Sequence, residues 1–234
     1  MSEQHPEYHK ILNIFKRDSS GKRLLTGEWS AEEFNYLKDL PWQITEKIDG
    51  TNVRVMWDGA SMSFNGKSDN AQMPGPLMQT LIAQFSNLPM LDLFNEKFGD
   101  DPVTIYGEGF GGSIQKGGAT YGPEQRFVAF DIRVGDWWLR RKDFNELTRS
   151  LAIPVVPEIG VMTLTEAAEL ASRGFDSAYG PFPAEGVIAR PETELRARNG
   201  ERIIVKIKTR DFVQDAIGAL SSLFRHQRLP IGEL

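Results

Sequence analysis

The sequence contains no cysteine. That excludes a disulfide framework, a thiolate zinc or iron–sulfur site and a cysteine nucleophile, and it makes a reducing compartment the expected home. Histidine is nearly as scarce. The three residues, His5, His9 and His226, lie toward the two ends of the chain, so a histidine-based triad or a His-rich metal cage has little material. Carboxylates and lysines are left to carry any catalysis. No apolar run approaches the ~18 residues of a membrane-spanning helix, and the opening MSEQHPEYHK has no apolar signal-peptide core. The expectation is therefore a cytoplasmic protein without membrane contact. Internal repeats and long Gly, Pro or Ser linkers are absent as well.

What is present is ordinary globular material: 234 residues, 40% of them hydrophobic and 25% charged, enough for a sizeable core. The net charge of -5 argues against a general electrostatic grip on nucleic acid. Two segments run against that sign. Lys10, Lys16, Arg17, Lys22 and Arg23 face only Asp18 within 10–23, and Arg190, Arg196, Arg198, Arg202, Lys206, Lys208 and Arg210 outnumber Glu192, Glu194 and Glu201 within 190–210, each segment being net +4. Either is a solvated face or a site for anions.

Element signals are interspersed. Ser30 and Glu33 have capping-box spacing ahead of a short helix that ends at Pro41. Residues 51–57 carry Val53, Val55 and Trp57 on one face, Asp58-Gly59 reads as a turn, and 61–65 return as the second strand of a hairpin. A helical stretch over 77–98 should break near Pro89. Strands are expected at 103–108, 126–132, 136–139, 186–189 and 202–208, and helices at 142–152, 164–173 and 211–228. Thr163 and Glu166 repeat the capping-box spacing, and 177–184 reads as an ordered loop. Hairpin signals and uneven spacing point to an α+β fold on antiparallel sheets rather than a regular βαβ series.

Gly107, Gly109 and Gly112 satisfy G-x-G-x-x-G after a strand, but the following SIQKGGATYGPEQ cannot be the helix that would hold a pyrophosphate. A dinucleotide fold is rejected, and Glu108, framed by glycines, becomes the residue of interest. Trp137, Trp138, Arg140 and Arg141 form a basic-aromatic cluster whose first reading is packing and whose second is a contact to a strand end. The segment EKIDGTNVRV presents Lys47 beside a tight turn with a carboxylate two residues on. In isolation it reads as a surface lysine at a β-turn.

The companions of Lys47 change that reading. After Lys47, Asp49 and Gly50 come Glu108 in YGEGFG, Phe130-Asp131 in FVAFDI, Glu185-Gly186 in AEGVIARP, and Lys206 and Lys208 in IVKIK. This ordered set resembles the motifs of the covalent nucleotidyltransferases, the superfamily of polynucleotide ligases and messenger-RNA capping enzymes, over residues 40–210. K-x-D-G-T-N, with Asn52 where DNA ligases and capping enzymes usually place an arginine, resembles the RNA ligases of the nick-sealing, phage-type branch. Arg54 falls on the same strand face as Asn52 and is expected to substitute in part for that arginine. Lys67 in NGKSD stands where these ligases usually carry arginine, so a bidentate contact becomes monodentate.

The resemblance implies a single nucleotidyltransferase domain over 1–234, with 211–234 as a short helical tail and no appended OB-fold. It implies an ATP-dependent RNA ligase that joins 5′-phosphate and 3′-hydroxyl ends through a lysyl-adenylate at Lys47. Lys47, Asp49, Lys206 and Lys208 would be catalytic, and Glu46, Gly50, Asn52, Lys67, Glu108, Phe130 and Glu185 would bind the nucleotide. Asp49 and Glu185 would hold Mg²⁺ or Mn²⁺, for which hard oxygen donors are suited. The chemistry is consistent with these types. A lysine attacks phosphorus as the free amine, a minor form for an ordinary lysine at neutral pH, and neighbouring cations such as Lys206, Lys208 and a metal disfavour a third ammonium. The same lysines can neutralise a phosphate in transfer, Phe130 offers a flat face for a purine, and Glu108 could accept from a ribose hydroxyl. RNA ends or nicks are the expected partner, with an accessory protein or self-association helping to hold them. The alternatives are a minimal DNA nick ligase and a non-catalytic nucleic-acid binding module with a relic nucleotidyltransferase fold.

Overall fold

The computed structural model describes residues 5–212. In chain order these form β1 (Leu12–Asn13), β2 (Phe15–Arg17), β3 (Leu24–Trp29), α1 (Glu32–Leu37), β4 (Trp42–Lys47), β5 (Thr51–Trp57), β6 (Met62–Asn65), α2 (Gly75–Phe85), α3 (Leu88–Phe98), β7 (Val103–Phe110), β8 (Arg126–Val134), β9 (Trp137–Trp138), α4 (Arg141–Ser150), β10 (Glu158–Met162), α5 (Leu164–Arg173), β11 (Gly186–Pro191) and β12 (Val205–Lys208), with a 3-10 turn at Gly118–Tyr121. The fold is α+β, and its sheets are antiparallel in every strand pairing except β1 with β12. Among the described residues no helix is long and apolar enough to cross a membrane. The helix expected over 211–228 lies almost wholly outside the described residues.

The chain divides into two compact units, Met1–Lys10 with Ile48–Pro157, and Ile11–Lys47 with Glu158–Leu234. In the first, a five-stranded sheet runs β6-β5-β7-β8-β9. Val53, Val55 and Trp57 of β5 face a core built with Leu77, Leu81 and Phe85 of α2, Phe94 of α3 and Phe144 of α4. Alternation alone would leave Arg54 and Met56 on a solvated face, yet both are buried. The segment from His5 to Tyr8 covers them: Arg54 donates to the His5 carbonyl, Tyr106 donates to the Pro6 carbonyl, and Tyr8 donates to Asp131. The long helical stretch breaks at Ser86-Asn87, where the Asn87 side chain accepts from the Met90 amide. Pro89 lies in the first turn of α3, where a missing N–H costs nothing.

The second unit holds a five-stranded sheet of order β1-β12-β11-β4-β10 and the β2–β3 hairpin. Trp42 and Ile44 of β4, Val187 and Ala189 of β11, and Val205 and Ile207 of β12 face inward against Leu164, Ala167 and Ala171 of α5. The capping box of α5 is complete, with Thr163 and Glu166 satisfying each other's amides. The box expected at Ser30 does not form. Ala31 is the N-cap of α1, and the Ser30 hydroxyl donates to the Asn13 carbonyl. The strand expected over 202–208 is confined to Val205–Lys208, because the backbone ahead of it pairs locally: Arg202 bridges to Arg196 and the Ile203 amide donates to the Leu195 carbonyl.

Candidate active site

Register builds the first constellation, inside the second unit. Lys47, the last residue of β4, lies opposite Gly186 of β11, and Gly186 lies opposite Lys208 of β12. The three positions form a row across adjacent strands, which places the two lysine backbones about 10 Å apart. Glu185, immediately before β11, closes the gap. Its Oε2 accepts from Lys47 Nζ at 2.5 Å and its Oε1 pairs with Lys208 Nζ at 2.8 Å. All three side chains are mostly buried, at 20%, 10% and 17% exposure for Lys47, Glu185 and Lys208. Burial pushes the Glu185 carboxyl up, but the Lys47 charge and the hydrogen bonds and charge from the two lysines outweigh it and hold the group below its ordinary value. Gly186 is required here. Its φ is +151°, and a Cβ would stand 2.0 Å from the Ile207 carbonyl oxygen.

Lys206 shares the outward face of β12 with Lys208 and lies between Ile188 and Asn13 in register. Glu46 points the other way. Alternation along β4 turns it toward the core side, where it is 2% exposed. Its Oε1 accepts from the Ser177 hydroxyl at 2.5 Å and its Oε2 from the Ala178 amide at 2.9 Å. Its carboxylate thus anchors the loop of residues 177–184, the segment expected to be ordered, and lies on the opposite face of β4 from Lys47.

The second constellation lies within the first unit. Asn52 of β5 and Glu108 of β7 are register partners, and the Asn52 amide donates to Glu108 Oε2 at 2.7 Å. Preceding them, the Asp49-Gly50 turn is clamped by the glycine-rich segment 111–122. The Asp49 amide donates to the Tyr121 hydroxyl oxygen at 3.2 Å, and Gln115 donates to the Gly50 carbonyl at 3.1 Å from a backbone with φ 57°. A Cβ at Gly50 would stand 2.2 Å from the Gly109 carbonyl oxygen, so the turn admits no side chain. Phe130 of β8 is half-buried, with the Tyr8 ring edge-on at 5.0 Å. Lys67 is exposed just beyond β6.

Arg54 does not take the part expected of it. Its guanidinium donates to the carbonyls of Gly66 and His5 and pairs with Asp69 at 2.6 Å, and its side chain is 3% exposed. The paired tryptophans divide their roles: Trp138 packs against Tyr8 and Tyr106, whereas Trp137 is exposed. Ser177, Gln115 and Tyr121 are contacts that sequence reasoning missed. The clustered glycines of 111–122 are the sequence signal for Gln115 and Tyr121, and the ordered loop over 177–184 is the signal for Ser177. Among the described residues no group of three or more His, Cys, Asp or Glu side chains converges as a metal cage.

A family model described as RNA ligase matches residues 40–208. No curated protein sequence gives a match. Among solved structures, the RNA ligase of Naegleria gruberi with PPi is 18% identical with a TM-score of 0.62, the alignment covering 90% of this chain and 62% of that one. Two point variants of that ligase, each solved with ATP and Mn, are 15% and 16% identical with TM-scores of 0.63 and 0.62, covering 90% and 92% of this chain and 62% and 63% of theirs. The likeness is one of fold, and the chain spans about three fifths of the length of these proteins.

Proposed function

Because this chain belongs to the RNA ligase family, we propose that it is an ATP-dependent RNA ligase of the nick-sealing, phage-type branch, with Lys47 as its covalent nucleophile. The observation that carries the proposal is the row of Lys47, Glu185 and Lys208, two lysines bridged by one buried carboxylate. Lys47 Nζ, as the free amine, attacks the α-phosphorus of ATP; the P–N bond forms, the bond to pyrophosphate breaks, and the amine proton leaves. A 5′-phosphate oxygen then displaces the lysine and takes the AMP. Finally the 3′-hydroxyl attacks that phosphate, loses its proton, and AMP departs as the phosphodiester forms. Phosphoryl transfer asks mainly for positioning and charge neutralisation, and Lys206 and Lys208 supply the cations beside the nucleophile.

The Lys47–Glu185 contact adds a requirement. An amine whose lone pair must reach phosphorus cannot stay bonded to a carboxylate as an ammonium, so Glu185 has to release Lys47 before attack. The donor set fits a small divalent cation. Mg²⁺ binds through one or two carboxylates together with water and substrate phosphates, and Glu185 is a carboxylate of that kind, in keeping with the ATP and Mn in the Naegleria structures. Such an ion, when bound, would supply Lewis-acid charge at the phosphates. Asn52 and Glu108, hydrogen-bonded to one another, offer polar groups for a ribose, and Phe130 a ring face for a base.

The deciding experiment is labelling with α-labelled ATP. Lys47→Ala leaves one Glu185 oxygen unpaired and should melt below the parental temperature, and its folded fraction should take up no label, whereas full labelling of that variant would remove Lys47 from the chemistry.

A further inference from the structure

We propose that the β2–β3 hairpin is a docking surface for the phosphates of the RNA strand, separate from the residues that handle ATP. The proposal rests on the RNA ligase reading for the identity of the partner. Its observations are independent of that reading.

The hairpin carries most of the first of the two basic segments, and the carboxylate at its tip is bonded to the turn itself and not to a lysine or arginine side chain. Asp18, the one carboxylate in 10–23, is consumed by the turn. Its Oδ1 accepts from the Ser20 hydroxyl at 2.8 Å, the Lys22 amide at 3.1 Å and the Arg23 amide at 3.2 Å. Lys16, Lys22 and Arg23 are exposed, and none of them forms an ion pair within the described residues. Over 15–29 the four cations Lys16, Arg17, Lys22 and Arg23 outnumber Asp18 and Glu28, a local excess of positive charge on a chain whose net charge is -5.

Placement argues further. Strand β1 runs parallel to β12, with Asn13 beside Lys206, and β2 continues it past the end of β12 at which Lys208 lies. There Arg17 pairs at 2.5 Å with the buried Asp211, three residues beyond Lys208. Arg17 also donates to the Lys22 carbonyl at 3.1 Å, tying the turn to the same anchor. The hairpin is therefore held at the end of the sheet that carries Lys47, Glu185 and Lys208. A strand whose end reaches those lysines would carry its neighbouring phosphates along the hairpin. Such a contact would position the nucleic acid without reading its sequence.

The test uses the full chain and two readouts. Lys16, Lys22 and Arg23 are replaced together by Ser, with Lys22→Arg and Arg23→Lys as the charge-keeping control. Binding of a nicked duplex RNA, followed by fluorescence anisotropy over a salt series without ATP, should weaken, and the slope of log affinity against log salt should become shallower by about one unit per lost phosphate contact, about three in all. Label uptake from ATP should stay at the parental rate, and the control should bind as the parent does. Parental affinity and slope in the triple Ser variant would overturn the proposal and assign the hairpin to another partner, such as an acidic protein surface. Should the parent bind RNA with a hairpin-dependent slope yet take no label from ATP, the ligase reading falls and the docking surface stands.

Discussion

Glu185 is the residue on which the reactive row turns. It is buried with a charge, a costly state unless both oxygens are paired, and Lys47 and Lys208 supply the two partners. Its carboxyl is held below its ordinary value, so it stabilises the fold fully above the unfolded value, and that contribution is lost as pH falls through the folded one. Glu185→Gln keeps the shape and removes the charge. The stability gap between parent and variant, measured by urea melts, should therefore be constant near neutrality and shrink on acidification below the ordinary carboxylate range. A gap independent of pH would mean that the ion pairs contribute nothing. The same variant should need more Mg²⁺ or Mn²⁺ for whatever labelling activity it keeps. Lys208→Ala leaves one oxygen of the buried Glu185 unpaired, so it should cost about 1–3 kcal/mol of stability, while labelling by the folded protein falls severely. Unfolding of this variant, with good labelling by the folded remainder, would make Lys208 structural.

Elements differ in how self-sufficient their signals are. Helix α5 carries its own start: Thr163 accepts from the Glu166 amide, and Glu166 accepts from the Thr163 amide. Thr163→Ala should cost about 1 kcal/mol, a loss that a thermal melt would register without any change in label uptake. Helix α1 has the same spacing at Ser30 and Glu33 but no such cap, because the neighbouring β1 carbonyl of Asn13 takes the Ser30 hydroxyl. A capping box is a local proposal that a tertiary acceptor can outbid. Strand β5 makes the same point. Its hairpin with β6 follows from alternation and Asp58-Gly59, but the burial of Arg54 follows from the amino-terminal segment that covers it.

At the scale of the whole molecule, substrate choice is the property to test. RNA and DNA differ at the 2′-hydroxyl, which a protein senses by a hydrogen bond or through the A-form geometry it imposes. Asn52 is a neutral amide already bonded to Glu108, a pair suited to orienting a hydroxyl, whereas an arginine would grip phosphate by charge and be less sensitive to the sugar. Sealing of matched nicks that differ only in the sugars flanking the junction should favour RNA on the 3′-hydroxyl side. Equal or faster sealing of all-DNA ends would instead support a DNA ligase, with the lysyl-adenylate step untouched.

Much of this protein is determined locally and was readable from the chain alone. The hairpin at Asp58-Gly59, the two consecutive helices around Pro89, the capped helix α5 and the shared face of Lys206 and Lys208 each depend on residues within a few positions of one another, where periodicity and turn chemistry act directly. The order of Lys47, Glu108, Phe130, Glu185 and Lys208 is likewise visible in the sequence, and the match over 40–208 bears out the resemblance at the level of the RNA ligase family. What the tertiary structure alone decided is how those residues are engaged. Glu185 meets Lys47 across 138 positions of chain, and Glu46 meets Ser177 across 131. Both pairings are set by the strand register of β4 against β11 and by the path of the intervening loop. Register depends on the summed burial of whole strands, a quantity that no single motif contains. For the same reason Glu46, adjacent to Lys47 in sequence, serves the opposite face of the strand, and Arg54, two residues from Asn52, is spent on holding the amino-terminal segment.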